Sequence, residues 1–439
     1  MRVLSLFDGM GCGMIALREL GIEPEVYYAS EIDKYAIMQT SRNFPNVIHV
    51  GDVRELDASK LGRIDLLIGG SPCTSFSSAG KMNGMSTKCS EEVVTLDRYL
   101  ELKEHNYEFE GESYLFWEYV RILKELRKVN PDILFLLENV EMQTKWENVI
   151  DSVLGIKGAH INSALVSAQN RRRIYWSNIK TTRYGLFNHD LYTHIPRPAD
   201  RCIYLRDILE DEVDKKYFIS DNMHDWLVSR SKKKNVKIRI MSGDDKSHCI
   251  TATAIYKGNL DTDYVPVTIN GERRLRRYTP LECARLQAVP DWYKWYCSDT
   301  QIYKMLGNGW TVEVIKHIFS FIKNKKMKEL ELVIKGRGET KGFTFTQVDK
   351  SEFAYIYQSK DADGGHVVYE VFRRVENKMF DCVSYPNSNG FGDSIYMGKV
   401  FRNKDSAVTW FEHLNELGFL KKTEERFGKI ANSAIYLHN

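Results

Sequence analysis

Short apolar runs alternate with longer amphipathic segments in the N-terminal part of the chain. Predominantly apolar runs of strand length, each followed by a glycine or a polar residue, occur at residues 3–7, 26–29, 47–50, 64–68 and 132–137. Helices are predicted between them at residues 14–20 and 114–128, where apolar side chains recur at helical spacing. Buried strands that alternate with helices are typical of a parallel sheet covered on both faces, so the pattern predicts an α/β fold.

The pattern changes after the fifth predicted strand. Residues 180–271 break into short pieces that sustain neither a helical nor a strand period. Order returns with a capped helix start at Thr279 and an apolar-faced helix at residues 312–322. We therefore predict one domain formed by residues 1–179 and 272–325 and interrupted by an irregular region at residues 180–271.

A second change of pattern separates the C-terminal part of the chain. Residues 326–342 are highly charged and are predicted to be a linker. Beyond them, strand-like alternation occurs at residues 343–357, 366–375, 380–385 and 395–401. One helix is predicted at residues 405–417, before Gly418. Residues 343–439 are therefore predicted to form a small α+β module.

Composition excludes several classes of protein. The 439 residues carry a net charge of only +3, which is too small to indicate a nucleic-acid partner by itself. The eight cysteines form no CxxC pair, so neither a metal site nor a disulfide framework is expected. No apolar run has membrane-spanning length, and residues 1–8 are too short and too soon acidic for a signal peptide. We expect a reducing, cytoplasmic compartment, no membrane partner and free thiols.

Three successive predicted strands end in residues suited to binding a nucleoside. The turn Asp8-Gly9-Met10-Gly11 follows the first strand, and its glycines let a ligand approach the backbone closely. Glu31 follows the second strand, where an acid binds ribose hydroxyls, and Asp52 follows the third, where it can accept from an adenine amine. The turn lacks the Lys-Ser/Thr of a phosphate-binding loop. Together these strand ends predict a nucleoside-bearing cofactor, although each alone also fits an ordinary turn or a surface carboxylate.

The fourth and fifth predicted strands end in groups suited to nucleophilic chemistry. The turn Gly69-Gly70-Ser71-Pro72-Cys73 places a cysteine just past the fourth strand, at the edge where open α/β sheets carry their chemistry. Glu138 follows the fifth strand in a half-desolvated position that suits acid–base work. A lone cysteine is more often a small buried residue, and a carboxylate at a strand end is often a surface group. Their occurrence at two strand ends favours a nucleophile with a carboxylate beside it.

Two basic stretches are candidates for binding anions. Gln169, Arg171 and Arg173 alternate in an extended segment, so their side chains point one way. They form either a solvated basic strand or a site for an anion, a phosphate or a polarised carbonyl. Residues 230–239 contain six basic residues and no acid. This run fits a solvated face as well as a phosphate-contacting surface.

The order of these motifs resembles that of DNA (cytosine-5)-methyltransferases. The resemblance covers residues 1–325 and rests on several motifs together. The opening at Phe7 looks most like the catalytic domains of de novo DNA methyltransferases, whereas the Gln-x-Arg-x-Arg and Thr-Pro-Leu-Glu-Cys segments look more like bacterial and phage members. The matching segments are Phe7-Asp8-Gly9-Met10-Gly11, Glu31, Gly51-Asp52-Val53, Gly69-Gly70-Ser71-Pro72-Cys73, Glu138-Asn139-Val140, residues 169–173, residues 277–287 and Gly307-Asn308.

The resemblance implies a Rossmann-like, S-adenosylmethionine-dependent enzyme that methylates C5 of cytosine in double-stranded DNA. Cys73 would add as a thiolate to C6 of a flipped-out base, and Glu138 would bind N3 and the exocyclic amine. Arg173 would contact the base carbonyl, with Arg171 beside it. The cofactor-binding residues implied are Phe7, Asp8, Gly9, Gly11, Glu31, Ile32, Asp52, Val53, Gly70, Pro72 and Asn308.

Family members carry their target-recognition region where this chain has residues 180–271, which implies the same role here. The DNA-binding residues expected are Ser75, Ser77, Gln169, Lys232, Lys233, Lys234 and Arg239. A cognate restriction enzyme is a possible partner under this interpretation. Two rival functions are an RNA (tRNA) cytosine-5 methyltransferase and a catalytically silent DNA-binding regulator. The long basic region argues against the first rival, and intact Cys73, Glu138 and Arg173 argue against the second.

Overall fold

Seven strands of the N-terminal part form one sheet. They are β1 (Arg2–Leu6), β2 (Val26–Ser30), β3 (Val47–His49), β4 (Leu66–Gly70), β5 (Leu134–Val140), β6 (Ala159–Asn162) and β7 (Arg172–Ser177). Their order is β3-β2-β1-β4-β5-β7-β6. Strands β1 to β5 pair in parallel, and β7 runs antiparallel to both β5 and β6. Each strand expected from the five apolar runs is present, and the predicted α/β fold is confirmed.

The computed structural model describes most of the N-terminal part and a smaller share of the C-terminal part. Its described residues are 1–73, 75–76, 84–184, 190–252, 258–269, 271–322, 330–336, 340–351, 353–365, 367–374, 376–377, 382–383, 386 and 398–417. They fall into two units, Met1–Lys323 and Asn324–Asn439. No helix within these ranges is long and apolar enough to cross a membrane.

Helices follow most strands of the first unit. They are α1 (Cys12–Glu19), α2 (Lys34–Asn43), α3 (Leu96–Glu104), α4 (Phe116–Val129), α5 (Thr144–Leu154), α6 (Asp221–Lys234), α7 (Pro280–Leu286), α8 (Asp299–Asn308) and α9 (Val312–Phe319). Helix α7 starts where its sequence predicts, because Thr279 and Glu282 form a reciprocal capping box.

Two hydrophobic layers enclose the sheet, since successive strand residues point to opposite faces. Val3 and Ile68 belong to a buried cluster that includes α1 and α9. Leu4 and Leu67 belong to a second cluster that includes α4. With both faces covered, the carboxyl ends of the parallel strands are the edge at which polar side chains can meet a ligand.

Residues 180–271 contain more regular structure than their pattern predicts. Strands β8 (Thr181–Tyr184) and β9 (Asp190–Thr193) pair with each other, and β10 (Arg239–Ile240) joins β11 (Asp263–Ile269) and β12 (Glu272–Arg276). Helix α6 was not expected, because its apolar positions are few. It begins at a Ser220 cap that accepts from Met223 N and ends at Asn235 in a left-handed conformation. Local capping rather than an apolar stripe defines this helix.

The acidic segment before α4 folds onto that helix. Tyr99 and Leu102 of α3 are buried, and Tyr99 Oη donates to the fully buried Glu118 of α4 at 2.6 Å. Glu118 also forms an ion pair with Arg121, whose Nε lies 2.6 Å away. These contacts give the segment a packing role on α4.

The second unit is built on an antiparallel sheet in the order β13-β14-β15-β16-β19. Its strands are β13 (Val333–Lys335), β14 (Thr344–Lys350), β15 (Ala354–Lys360), β16 (Val367–Arg373) and β19 (Lys399–Phe401), with a separate pair β17 (Glu376–Asn377) and β18 (Cys382–Val383). Helix α10 (Lys404–Leu417) packs Trp410 and Leu414 against Ile356 and Val371. The single strand predicted at residues 343–357 is wrong: it is two strands, β14 and the start of β15, that pair antiparallel.

Candidate active site

Cys73 lies in a turn that begins where β4 ends. Gly70 is the last residue of β4, and an added Cβ there would stand 2.7 Å from Trp310 Nε1. Only glycine fits at this close approach. The turn is held from β5, because Asn139 Nδ2 donates to Ser71 O and Oγ at 3.2 and 3.0 Å. Cys73 is thereby placed beside the end of β5.

Glu138 of β5 is held from two sides by groups that are distant in sequence. Its side chain is only 10% exposed, and Arg173 Nε lies 2.9 Å from its Oε1. Trp310 Nε1 donates to its Oε2 at 3.0 Å. Two charge-assisted contacts fix the carboxylate and leave its remaining lone pairs for a ligand. We call the group Cys73, Glu138 and Arg173 the base side of the site.

Arg173 keeps donors for a ligand. Its Nη1 donates to Arg172 O at 2.8 Å, and its Nη2 contacts Cys249 Sγ at 3.7 Å. A guanidinium has five N–H groups, so these contacts and the one to Glu138 do not exhaust it. Arg173 is therefore both oriented by the protein and able to bind a carbonyl oxygen.

Arg171 has different surroundings from those its alternation with Arg173 predicts. It is buried, and its terminal nitrogens donate to Cys249 Sγ at 3.2 Å and to the carbonyls of Ile250, Gly307 and Gly309 at 3.1, 3.2 and 2.8 Å. These four donations use the N–H groups of both terminal nitrogens. Arg171 thus joins segments that are distant in sequence, and its role beside Arg173 in the reaction stays a prediction.

The charges around Cys73 oppose one another. Burial and the Glu138 carboxylate raise the pKa of the Cys73 thiol, while Arg173 and Arg171 lower it, and the net shift is upward. Cys73 is therefore mainly a neutral thiol near pH 7 in the protein alone. A ligand that donates hydrogen bonds to Glu138 offsets the carboxylate charge and so favours the thiolate.

The other half of the site, which we call the cofactor side, is formed by Gly9 and Glu31. Glu31 Oε2 accepts from Gly9 N at 2.8 Å, and its Oε1 accepts from Ile32 N and Asp33 N at 2.7 and 2.9 Å. Gly9 has a φ of +58°, and a Cβ there would meet nothing within 4 Å. Gly11 follows in the same turn and caps α1. The Glu31 carboxylate is thus fixed in place and keeps lone-pair capacity with which it can accept hydrogen bonds from the hydroxyls of a ribose.

Two further features fit the sulfonium cofactor that the motifs imply. Asp8 is buried; its Oδ1 accepts from Tyr27 Oη at 2.8 Å, but its Oδ2 has no hydrogen-bond partner. Burial raises the pKa of Asp8 to about 6. Ile32 is 67% exposed, and Phe7 is half-buried at the end of β1. An orphaned carboxylate oxygen suits a cationic group, and exposed apolar side chains suit a purine face, so these residues fit S-adenosylmethionine.

Three other residues expected at the cofactor have different surroundings. Asp52 pairs with Arg54, whose Nε lies 3.0 Å from both carboxylate oxygens, and these hydrogen bonds lower the pKa of Asp52. An adenine amine would have to share this carboxylate with Arg54. The Val53 side chain is buried in the core, which leaves its backbone for a ligand. Asn308 is exposed at the last residue of α8.

The residues expected to contact DNA near Pro72 are mostly buried. Gln169 is fully buried, where its Nε2 donates to Leu286 O at 3.1 Å and its Oε1 accepts from Ile250 N at 2.9 Å. Ser75 is 5% exposed. Direct DNA contact by these two side chains would require a change of conformation, and their DNA-binding role stays a prediction. Ser77 lies outside the described residues.

The basic run at residues 230–239 spans the end of α6 and the start of β10. Lys232, Lys233 and Lys234 are exposed in the last turn of α6. Arg239 is half-buried, and its guanidinium contacts Asp261 O at 2.9 Å and Oδ1 at 3.5 Å. The three lysines are free to meet phosphates, whereas Arg239 is partly used by its own segment.

Sequence reasoning missed Trp310 and Cys249. Trp310 approaches Glu138 across 172 positions of sequence, and Cys249 approaches Arg171 across 78. The only sequence cue to Trp310 is that it follows the Gly307-Asn308-Gly309 turn. No periodicity signals Cys249, because it lies in the irregular region.

Known proteins share this architecture. A family model described as C-5 cytosine-specific DNA methylase matches residues 1–324. The type II methyltransferase M1.ScrFI of Lactococcus lactis subsp. cremoris is 30% identical over 72% of this chain and 76% of that protein. The type II methyltransferase M.NlaX of Neisseria lactamica is 27% identical over 72% and 94%, and the orphan methyltransferase M.SPBetaI of Bacillus phage SPbeta is 27% identical over 73% and 96%.

A solved structure of a mutant DNMT2 from Spodoptera frugiperda superimposes with a TM-score of 0.53 at 20% identity, covering 73% of this chain and 99% of that one. The sheet order and the strand-end site thus define an α/β methyltransferase. The chain belongs to the C-5 cytosine-specific DNA methylase family over residues 1–324 and is a DNA (cytosine-5)-methyltransferase. The match to the family model ends at residue 324, the first residue of the second unit.

Proposed function

We propose that this protein transfers a methyl group from S-adenosylmethionine to C5 of a flipped-out cytosine in double-stranded DNA. The observation that carries the proposal is the Glu138 carboxylate, held between Arg173 and Trp310 at the strand end next to Cys73. A nucleophile, a fixed carboxylate and a cation with spare donors are the groups that an unreactive C5 requires. S-adenosylmethionine, when bound, supplies an electrophilic methyl group. The Asp8, Glu31 and Ile32 surroundings support its place on the cofactor side.

The residues of the base side divide the work. The Cys73 thiolate adds to C6, which gives C5 the character of an enamine carbon. Glu138 binds the N3 and exocyclic amine edge and stabilises the charge that develops on the ring. Arg173 offers its remaining N–H groups to the base carbonyl. After C5 has been methylated, loss of the C5 proton and of Cys73 restores the ring.

The upward pKa shift of Cys73 suits this order of events. A thiol that is mainly neutral in the free enzyme is protected from reacting with other electrophiles. Binding of cytosine at Glu138 offsets the carboxylate charge, so the thiolate forms when its target is present. The target atoms are inaccessible in a stacked duplex, and the base must therefore leave the helix.

We assign target recognition to residues 180–271 and an accessory role to residues 343–439. The exposed lysines of α6 support the first assignment, because Lys and Arg contacts to phosphates hold a protein on DNA. The named relatives are bacterial and phage proteins, which supports action on DNA in a prokaryotic cell, alone or beside a restriction enzyme.

The test compares Cys73→Ser with the wild-type protein and with Cys89→Ser, whose cysteine is exposed. Labelled S-adenosylmethionine is offered with duplex DNA and, separately, with tRNA. We expect Cys73→Ser to lose DNA methylation by more than about 10⁴-fold, over 5 kcal/mol in barrier, while still binding the cofactor. Cys89→Ser should match the wild type.

A duplex that carries 5-fluorocytosine should trap a covalent complex on Cys73, because fluorine cannot leave as a proton does. Methylation of tRNA in place of DNA would establish the RNA rival. Binding of DNA without any transfer by the wild-type protein would establish the silent regulator.

A further inference from the structure

Cys249 is a second thiol within the charge cluster of the base side. Its sulfur lies 3.2 Å from Arg171 Nη1 and 3.7 Å from Arg173 Nη2. The residue belongs to the irregular region, next to a backbone bridge between Ser247 and Gln169. The recognition region thus inserts one sulfur between the two arginines of the catalytic sheet.

The Cys249 sulfur accepts from both Arg171 and Arg173. The other three N–H groups on the terminal nitrogens of Arg171 donate to the carbonyls of Ile250, Gly307 and Gly309, so Cys249 is its one side-chain acceptor among the hydrogen bonds the structure describes. Arg173 forms an ion pair with Glu138 through Nε and donates to Cys249 with Nη2. The ion pair and the sulfur contact together restrain the orientation of the Arg173 guanidinium.

We propose that Cys249 is a positioning residue whose sulfur aligns Arg171 and Arg173 for the target base. The proposal rests on the proposed function, since Arg173 matters here as the group that contacts the base. It adds a role for the recognition region inside the catalytic site. Its sulfur acts through the arginines and does not itself touch the substrate.

The pKa values of the two thiols, Cys249 and Cys73, are shifted in opposite directions. Burial alone would raise the pKa of Cys249, but Arg171 and Arg173 outweigh it, and the pKa of this thiol lies below its usual value. The pKa of Cys73 lies above its usual value. Cys249 therefore ionises before Cys73. Both sulfurs interact electrostatically with Arg173, so a charge on Cys249 competes with the Cys73 thiolate for that cation. The charged and titratable groups that face Cys249 are Arg171 and Arg173 and, across the adjoining cleft, His248, Asp261, Asp263 and Tyr278. Glu138, Tyr175 and Cys73 interact with Arg173.

The first experiment needs no enzymatic activity. Cys249 is half-buried beside a small cleft lined by His248, Thr262 and Tyr278, so part of its surface is open to a small reagent such as iodoacetamide. Alkylation of each cysteine is followed against pH by peptide mass spectrometry on the full-length protein. We expect the midpoint for Cys249 to fall below those of Cys73 and Cys297. A midpoint for Cys249 equal to or above that of Cys73 would overturn the proposal.

The second experiment measures DNA methylation by Cys249→Ser, Cys249→Ala and the control Cys89→Ser. Serine keeps an acceptor but stays neutral, so the acidic limb of the kcat/KM profile should move to lower pH as Cys73 loses an opposing charge. Alanine removes the acceptor for both arginines and should lower kcat about tenfold to a hundredfold, the usual effect of losing a hydrogen bond to a charged group.

Profiles of both variants that match Cys89→Ser would contradict the positioning role, and so would an acidic limb that moves to higher pH in Cys249→Ser. Thermal melting shows whether the alanine variant folds. If it does not fold, the pH profile of Cys249→Ser and the alkylation midpoints test the proposal without it. A wild-type protein without methyl transfer would refute the proposed function instead, and the alkylation experiment would still report on Cys249.

Discussion

The cofactor side and the base side lie at the same edge of one sheet but are held in different ways. On the cofactor side, Glu31 is fixed by backbone amides, two of which belong to the next two residues of the chain. On the base side, Glu138 is fixed by the side chains of Arg173 and Trp310 from other elements. One carboxylate is oriented by its own turn, and the other by tertiary structure.

The comparison indicates how each half should respond to change. Among substitutions only proline removes a backbone N–H, so the cofactor side should tolerate most changes outside its own turn. The base side depends on individual side chains, each of which can be deleted. We therefore expect single substitutions around Glu138 to affect the chemical step strongly and those around Glu31 to affect binding more mildly.

The largest effect should come from Glu138→Gln. The change keeps the shape and one acceptor but removes the charge that stabilises the activated ring. We expect the single-turnover rate to fall about 10²- to 10⁴-fold, with DNA affinity nearly unchanged. An unaltered single-turnover rate would mean that Glu138 has only a structural role. The base side would then be no more sensitive to substitution in the chemical step than the cofactor side.

Trp310→Phe should have the next largest effect. It removes the Nε1 donor to Glu138 Oε2 and retains an aromatic ring at the approach to Gly70. Loss of a hydrogen bond to a charged group should lower the chemical step about tenfold to a hundredfold. The matched control is Trp292→Phe, because Trp292 Nε1 also donates to a carboxylate, Glu19, but in an exposed pair. Equal single-turnover rates for the two variants would contradict the idea that the Trp310 side chain orients the Glu138 carboxylate.

Glu31→Gln tests the cofactor side. It keeps one acceptor oxygen for the backbone amides but loses the charge that binds hydroxyl donors, so S-adenosylmethionine affinity should fall about tenfold. The single-turnover rate at saturating cofactor should stay near that of the wild type. Calorimetric titration and rapid quench measure the two quantities, with the exposed Glu25→Gln as control. A fall in rate at unchanged affinity would place Glu31 in the chemical step.

The smallest effect on chemistry should follow neutralisation of Lys232, Lys233 and Lys234. Phosphate contacts position the protein without reading bases, so binding should weaken alike for all sequences. The slope of log affinity against log salt should flatten by up to about three units. Replacement of the exposed Lys124 and Lys128 on α4 by glutamine serves as control. A changed target sequence in the lysine variant would assign these residues to base recognition.

The contrast between the two sides also explains what the sequence could predict. The strands and the Gly9–Glu31 turn follow from apolar runs and local hydrogen bonding, and these are near neighbours in the chain. Gln169, Arg171 and Arg173 alternate as expected. How deeply each side chain is buried depends on residues 247–250 and 307–309, which pack against them from distant parts of the chain. Alternation predicts a shared face and not which side chain is buried, so the burial of Gln169 and Arg171 could not be predicted from the sequence.

Helix α6 shows the same limit in another form. Its single buried residue is Leu227, so no apolar stripe predicts a helix there. The Ser220 cap and the Asn235 end were both visible in the sequence, but without periodicity they resembled ordinary loop residues. In the second unit, Ser351 turns the chain between β14 and β15, where an unbroken alternation suggested one long strand.

The long sequence separation between Glu138 and Trp310 has a consequence for the newly made protein. During synthesis, Cys73 and the whole cofactor turn leave the ribosome well before Trp310 does. At about 5–20 residues per second, the delay is on the order of 10–50 s. Throughout that time the nascent chain lacks both the Trp310 donor and the Gly307–Gly309 carbonyls that hold Arg171. A chain released before this point therefore lacks the side chain and the carbonyls that hold Glu138 and Arg171 in the folded protein.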